Sequence, residues 1–228
     1  MRVVAALFVL LALGCDATDP MAPDPLPPDP PPPAPTLEPA TFRITFDASW
    51  SAQSHPDMFP GNPHFSRLTG AVHATDVSLW SVGEMASDGI RQMAETGGVS
   101  MLEEEVNALG EAMGVYVEGG PIRTSPGTAS VTVTVTEARP VVSVVTMLAP
   151  SPDWFIGIDG LDLREGDGWA DRMEIDAVVY DAGTDDGATY VAANAPRSAR
   201  APIADVAYAP LAGTSVGTLV VERVEDGG

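Results

Sequence analysis

Val131-Thr132-Val133-Thr134-Val135-Thr136 is the stretch of this sequence that decides the fold. Valine and threonine alternate without a break, and successive side chains of a β-strand point to opposite faces of a sheet. The alternation therefore predicts a strand with its valines on a core and its threonines in solvent. Shortly after it, residues 141–148 form an apolar run without alternation, which predicts a strand covered on both faces.

Other segments repeat the strand signal. We expect further strands at residues 41–46, 155–158, 173–180, 206–208 and 218–224, separated by Gly, Pro and Asp. Between the first strand and Val131 the period changes, and residues 84–94 and 101–113 are predicted as two short helices. The second helix would place four apolar residues on one buried face, namely Leu102, Val106, Leu109 and Met113. Many short strands with turn residues between them are typical of an antiparallel β-sandwich. The predicted fold class is all-β, with one or two short helices in loops.

The charge of the chain limits its partners. The formal net charge is −21, and all eleven basic residues are arginine. Nucleic acids and anionic membrane surfaces attract proteins with a positive footprint, so we expect no nucleic-acid partner. The acidity fits an exported protein or one that gathers cations, and it equally fits a source whose proteins are acidic in general.

The amino terminus has the pattern of an export signal. Arg2 precedes an apolar run over residues 3–13, which is shorter than the about 20 residues that a membrane-spanning helix needs. Gly14 and Cys15 follow at once, and this junction resembles the lipobox of bacterial lipoproteins, although Ala12 stands where leucine is most usual. Residues 1–15 are thus predicted to be a signal peptide, with Cys15 as the lipidated residue. An ordinary cleaved signal peptide and an incidental thiol are the alternatives.

Residues 16–40 are predicted to be a linker. They hold eleven of the 22 prolines and also contain Asp19, Asp24, Asp29 and Glu38. Such a composition buries no core and favours an extended polyproline conformation. Behind a lipidated cysteine, this segment would hold the following domain, residues 41–228, away from the membrane. The expected location is the bacterial cell envelope, at the outer membrane or on its periplasmic face.

Aspartates beside turn-forming residues are the candidate site. Asp153 follows Pro150-Ser151-Pro152, and Asp181 and Asp185 flank Gly183 in a loop. Calcium takes six to eight oxygen ligands in a flexible geometry, which carboxylates on loops at strand ends supply. Asp186 is a spare acid that would bind through water or face solvent. Asp beside Gly or Pro is also ordinary turn chemistry, so the residues alone leave both interpretations open.

The order of several short motifs resembles the amino-terminal domain of the spondins, an extracellular-matrix adhesion family with bacterial relatives. The resemblance extends over about residues 41–202. The motifs are Trp50-Ser51, His55-Pro56, Phe59-Pro60, His64-Phe65-Ser66, Gly70-Ala71, Leu79-Trp80-Ser81-Val82-Gly83, Ala94-Glu95-Thr96-Gly97, Pro150-Ser151-Pro152-Asp153-Trp154 and Asp181-Ala182-Gly183-Thr184-Asp185.

The resemblance implies a β-sandwich similar to calcium-dependent membrane-binding domains, with Ca²⁺ at one end. The family's metal carboxylates correspond to Asp153, Asp181 and Asp185. It further implies a non-enzymatic domain for adhesion or extracellular interaction, whose ligand would be an unknown protein or glycan at the cell surface.

Two alternative functions stay open. A carbohydrate-binding or envelope-scaffold module would use exposed aromatics among Trp50, Trp80, Trp154 and Trp169, although we expect most of these in the core. A calcium-stabilised hydrolase is the other, but no nucleophile motif supports it. The three histidines, at regular spacings of nine residues, match no zinc pattern.

Overall fold

The computed structural model describes residues 37–224; the predicted signal peptide, Cys15 and most of the predicted linker lie outside them. Twelve strands and two helices follow one another in this part of the chain. They are β1 (Ala40–Ala48), β2 (His64–His73), α1 (Asp88–Thr96), α2 (Ser100–Leu109), β3 (Gly114–Ile122), β4 (Gly127–Val135), β5 (Val141–Ala149), β6 (Trp154–Asp162), β7 (Arg164–Glu165), β8 (Gly168–Trp169), β9 (Arg172–Asp176), β10 (Tyr180–Asp181), β11 (Ala204–Asp205) and β12 (Gly217–Val224).

Two antiparallel sheets form a sandwich, as the alternating segments predict. One sheet has the order β4-β1-β12-β9 and the other β11-β10-β6-β5-β2-β3, while β7 and β8 form a separate hairpin. Phe42, Ile44 and Phe46 of β1 alternate with more exposed residues and point into the core between the sheets. The valines of residues 131–135 lie on the same core, and the threonines between them are exposed. The all-β sandwich is therefore confirmed.

A third layer explains the complete burial of β5. Every residue of this strand is buried. Val142, Val144 and Leu148 face the core between the sheets, whereas Val145 and Met147 belong to a second core that both helices cover. Ser87 begins α1 by accepting the backbone N–H of Ile90, and Ile90 and Met93 pack onto the sheet. The apolar run of residues 141–148 has this pattern because protein covers both of its faces.

Several predicted boundaries are wrong. Residues 173–180 are two strands in different sheets, because the chain leaves β9 at Asp176 and crosses to β10. Residues 206–208 form no strand, and the short strand β11 precedes them. The helices begin at Asp88 and Ser100 rather than at residues 84 and 101.

The sequence does not predict the strands β2 and β3, the short hairpin of β7 and β8, or the end of the second helix. β2 and β3 lie between the first strand and Val131, where the sequence predicts only the two helices. The second helix ends at Leu109, before Gly110, and Leu109 itself is exposed rather than packed. Among residues 37–224, no helix has both the length and the apolar character that a membrane crossing requires.

Candidate metal centre

Asp153 lies in the connection between β5 and β6, directly before Trp154. The Ser151 hydroxyl accepts the backbone N–H of Trp154 at 3.1 Å and so closes the turn. Asp153 is completely buried. Its Oδ2 atom accepts three hydrogen bonds, from the backbone N–H of Thr184 at 2.7 Å, from the Thr184 hydroxyl at 3.1 Å and from the backbone N–H of Asp185 at 3.0 Å. One oxygen of Asp153 thereby joins two loops.

The other oxygen of Asp153 has no such partner. Its Oδ1 atom is buried and accepts no hydrogen bond among the described residues. Burial, followed by the charge of nearby Asp181, raises the pKa of Asp153 from 3.8 to about 6. A buried carboxylate oxygen without a partner is unfavourable unless a cation or a donor satisfies it. The donor set around Asp153 therefore fits a cation.

Asp181 is the last residue of β10 and lies close to Asp153. Its Oδ1 atom accepts the backbone N–H of Gly183 at 2.7 Å, and its Oδ2 atom accepts the Tyr208 hydroxyl at 3.0 Å. Burial and the charge of Asp181 raise the pKa of Tyr208 above its ordinary range, so the phenol stays a donor. Gly183 has φ +74°, and a Cβ atom there would lie 2.0 Å from the carbonyl oxygen of Ala201. Only glycine fits this turn without displacing the backbone.

Asp185 holds its own loop in place. Its two oxygens accept the backbone N–H groups of Gly187 and Ala195, both at 2.7 Å. The side chain is 2% exposed. Each carboxylate oxygen offers two acceptor positions, so these bonds leave capacity for a metal ion. Asp186, in contrast, is exposed and forms an ion pair with Arg197 at 3.0 Å.

Arg197 is the counter-charge at this end of the sandwich. Its Nε atom donates to the carbonyl oxygen of Asp185 at 3.1 Å, and an Nη atom lies 4.0 Å from Oδ2 of Asp181. Neither Arg197 nor Tyr208 was identified from the sequence. They follow Asp185 by 12 and 23 residues, and no local pattern links them to the aspartates.

The three predicted aspartates lie in one loop cluster but are not equivalent. Asp153 and Asp181 are coupled by charge, and Asp185 reaches Asp153 through its backbone N–H. Within residues 37–224, no three side chains of His, Cys, Asp or Glu stand together as a metal cluster. Asp181, Asp186, Arg197 and Tyr208 line an open cavity of about 390 Å³ beside the cluster. A cation would reach Asp181 from this cavity.

The three histidines have separate surroundings. The ring of His73 is buried and bridges the Ser143 hydroxyl and the carbonyl oxygen of Ala74, each at 2.9 Å. His64 donates from Nδ1 to the carbonyl oxygen of Asn62 at 2.9 Å. His55 is buried beside Ser54. Each ring is thus engaged with its own neighbours.

All four tryptophans belong to the core. Trp50 and Trp154 are completely buried, Trp80 is 4% exposed and Trp169 is 9% exposed. Trp50 and Trp154 both pack against Tyr190, close behind the aspartate cluster. These four tryptophans therefore do not form an exposed carbohydrate-binding surface.

Comparisons with known proteins agree with the motif order. The family model described as Spondin_N matches residues 40–212. Spondin-2 of Homo sapiens is 36% identical over 161 residues, which cover 68% of this chain and 49% of that protein. Spondin-2 of Rattus norvegicus is 34% identical over 195 residues, covering 82% of this chain and 57% of that protein. Spondin-1 of Gallus gallus is 34% identical over 168 residues, covering 69% of this chain and 21% of that protein. The chain spans about half the length of the spondin-2 relatives.

Proposed function

Because the chain belongs to the spondin N-terminal domain family, we propose that it is a calcium-binding interaction domain at a bacterial cell envelope. It binds a protein or glycan ligand and catalyses no reaction. Family membership supports a role in extracellular interaction or adhesion, and the apolar segment at residues 3–13 supports export. A fold alone does not fix a function, so each part of the proposal needs its own test.

One observation carries the calcium proposal: the buried Oδ1 atom of Asp153 has no hydrogen-bond partner within residues 37–224. The side chains of Asp153, Asp181 and Asp185 do not stand together as a three-ligand cluster in this structure, so they would draw together around the ion. Loop carbonyls and water would complete the six to eight oxygen ligands that calcium takes. Arg197 offers one positive charge beside three carboxylates, and calcium would supply the rest. Asp153 links the β5–β6 connection to the loop after β10 through Thr184 and Asp185. The role proposed for the ion is therefore to stabilise these loops.

Thermal melting and calorimetric titration with calcium test this role. The wild-type protein should bind one calcium ion and melt at a higher temperature with calcium than with chelator. Asp181→Ala should lose both effects, whereas Asp167→Asn, which changes an exposed acid in the β7–β8 hairpin, should keep both. Melting curves that ignore calcium in the wild type and in Asp181→Ala alike would refute the proposal.

Attachment to the membrane is proposed to depend on Cys15. It follows a short apolar segment and a small residue, Gly14, and it is the only cysteine. In a bacterial host, the wild-type protein should incorporate an alkyne-labelled fatty acid and sediment with membranes. Cys15→Ser should lose the label and become soluble. Membrane association that persists unchanged in Cys15→Ser would disprove anchoring through this residue.

Binding rather than catalysis is proposed also because the histidine–serine pair of the six-stranded sheet is inaccessible. The His73–Ser143 contact of 2.9 Å resembles part of a hydrolase triad. Both residues are 0% exposed, however, and Ser143 also accepts the backbone N–H of Gly160 at 2.9 Å. The pair thus ties β2, β5 and β6 together.

A pull-down from native cell envelope, repeated with chelator, should recover a ligand only when calcium is present.

A further inference from the structure

A bulge interrupts β2 at the end of the six-stranded sheet where the strand begins. Its pairing with β3 and β5 shifts between Phe65 and Thr69. Ser66 replaces the lost ladder contacts, since its hydroxyl accepts the backbone N–H of Met147 and its carbonyl oxygen accepts the Thr146 hydroxyl, both at 2.9 Å. Bulges redirect side chains and are frequent beside functional sites.

An open cavity of about 480 Å³ lies along this bulge. Its polar and charged walls include His64, Ser66, Arg67, Thr96 and Arg123, and no aspartate or glutamate of the described part of the chain lines it. The chain has 32 acidic residues and only 11 arginines, so two arginines without a carboxylate in the wall are unusual for its surface. The volume falls within the range of about 300–1,000 Å³ that is typical of small-molecule sites.

The arginines have donors to spare. Arg123 forms no ion pair within residues 37–224. Arg67 pairs with Glu118, but its side chain is 56% exposed. An exposed ion pair is weak, and a guanidinium has five N–H donors, so Arg67 retains donors for a second acceptor. His64 uses only Nδ1, for the carbonyl oxygen of Asn62.

The partial negative charge at the carboxyl end of α1 reduces the positive potential of the cavity only in part. Gly97, the residue after this helix, lines the cavity. The carboxyl end of a helix carries about half a negative charge. Two of its last carbonyl oxygens already accept hydrogen bonds, from the backbone N–H of Gly97 at 2.8 Å and from the Thr96 hydroxyl at 2.7 Å. Glu118 offsets the charge of Arg67, so the guanidinium of Arg123 is the group that keeps the cavity electropositive.

We propose that this cavity binds an anionic group, a carboxylate, sulfate or phosphate ester, on a polar molecule of about monosaccharide size. Arginine recognises such groups through two parallel N–H bonds. Pro121 and Met147 line the same cavity and supply apolar surface for the rest of the molecule. None of Asp153, Asp181 and Asp185 lines it, so this site stands apart from the proposed calcium function.

NMR titration of the isotope-labelled protein tests the proposal, in chelator and again in calcium. The probes are galacturonate, glucose 6-sulfate, glucose 6-phosphate, neutral galactose and inorganic sulfate, all at constant ionic strength. At least one sugar-borne anion should shift the amide signals of Ser66, Thr96 and Arg123 in a saturable way in both conditions. Galactose should not, and inorganic sulfate should bind more weakly than that sugar because it leaves the apolar walls uncovered.

Matched arginine variants separate the cavity from general electrostatics. Arg123→Gln should weaken binding about tenfold, since a hydrogen bond to a charged group contributes about that factor. Arg43→Gln should leave the affinity unchanged, because Arg43 is an exposed arginine of β1 that likewise lacks an ion pair among the described residues. The proposal is overturned if no probe saturates, if galactose or inorganic sulfate binds as well as every sugar-borne anion, or if both variants weaken binding equally.

Discussion

Replacing Asp153 by asparagine should stabilise the calcium-free protein and remove its response to calcium. The carboxylate is completely buried, and its pKa lies at about 6 instead of 3.8 because burial and Asp181 disfavour its charge. Above pH 7 the folded protein carries this charge whether or not a cation neutralises it. Asparagine removes the charge and keeps one oxygen for the N–H groups of Thr184 and Asp185.

The size of the effect follows from the pKa. A tenfold change in an acid constant corresponds to about 1.4 kcal/mol, so a rise from 3.8 to about 6 corresponds to about 3 kcal/mol. In a domain of this size, that free energy raises the melting temperature by about 6–12 °C. Calcium at about a hundred times its Kd would stabilise the wild type by about 2.7 kcal/mol. Asp153→Asn should show no calcium stabilisation.

Urea unfolding of both proteins at pH 7.5, in chelator and in calcium, measures these differences. Asp167→Asn is the control, because it removes the same charge from an exposed loop and should change the free energy of unfolding by less than about 0.5 kcal/mol. The reasoning is refuted if Asp153→Asn is less stable than the wild type in chelator. It is also refuted if calcium stabilises the variant as much as the wild type.

Three further predictions concern neighbouring residues. Arg197→Gln should raise the calcium affinity about tenfold in calorimetry, because a positive charge near the carboxylates repels the ion. The control Arg200→Gln, which loses an ion pair with Asp88 instead, should leave the affinity unchanged. Equal affinities in the wild type and in both variants would contradict this prediction. Gly183→Ala should lower the free energy of unfolding by about 2–4 kcal/mol in urea, because its Cβ would meet the carbonyl oxygen of Ala201. Gly213 has the same φ of +74°, but no atom of the described residues lies within 4 Å of the position of its Cβ. An equal loss of stability in Gly213→Ala would show that backbone strain alone is the cause. His73 is buried with a lowered pKa, so the wild type should lose stability relative to His73→Gln as the pH falls below about 6.5, by up to about 1.4 kcal/mol per pH unit. A difference between the two proteins that does not change between pH 7.5 and 5 would show that His73 does not titrate differently on folding.

The sequence predicts the strands whose side chains alternate and fails where local geometry departs from that rule. Residues 131–135 and 141–148 are strands because their patterns follow directly from one covered face and two covered faces. β2 contains a bulge and Gly70, whose missing Cβ allows the carbonyl oxygen of Ser143 to come close. Its residues therefore lack the period of a regular strand.

The change of sheet after β9 leaves no mark in the sequence. Ala177 and Val179 are buried and continue the alternation of residues 173–176, so residues 173–180 have the pattern of one strand. The backbone N–H of Ala177 bonds to the carbonyl oxygen of Gly217, and the chain then joins β6 through Tyr180. Long-range strand pairing, and not the local sequence, therefore determines where β9 ends.

The candidate site is likewise predictable from the sequence only in part. Asp153, Asp181 and Asp185 were found because turn-forming residues stand beside them and because the motif order resembles a known family. Arg197 and Tyr208 reach the cluster only through folding. That one oxygen of Asp153 lacks a partner depends on every surrounding loop, and no sequence pattern records it.

Terbium luminescence tests the central claim, that Asp153, Asp181 and Asp185 hold calcium, most directly. Trp154 follows Asp153, so a terbium ion bound at the cluster should receive energy from this tryptophan. We expect saturable emission from the wild type and from Trp169→Phe, its displacement by calcium, and no such emission from Asp153→Asn. Emission that calcium does not displace, or that persists unchanged in Asp153→Asn, would contradict it.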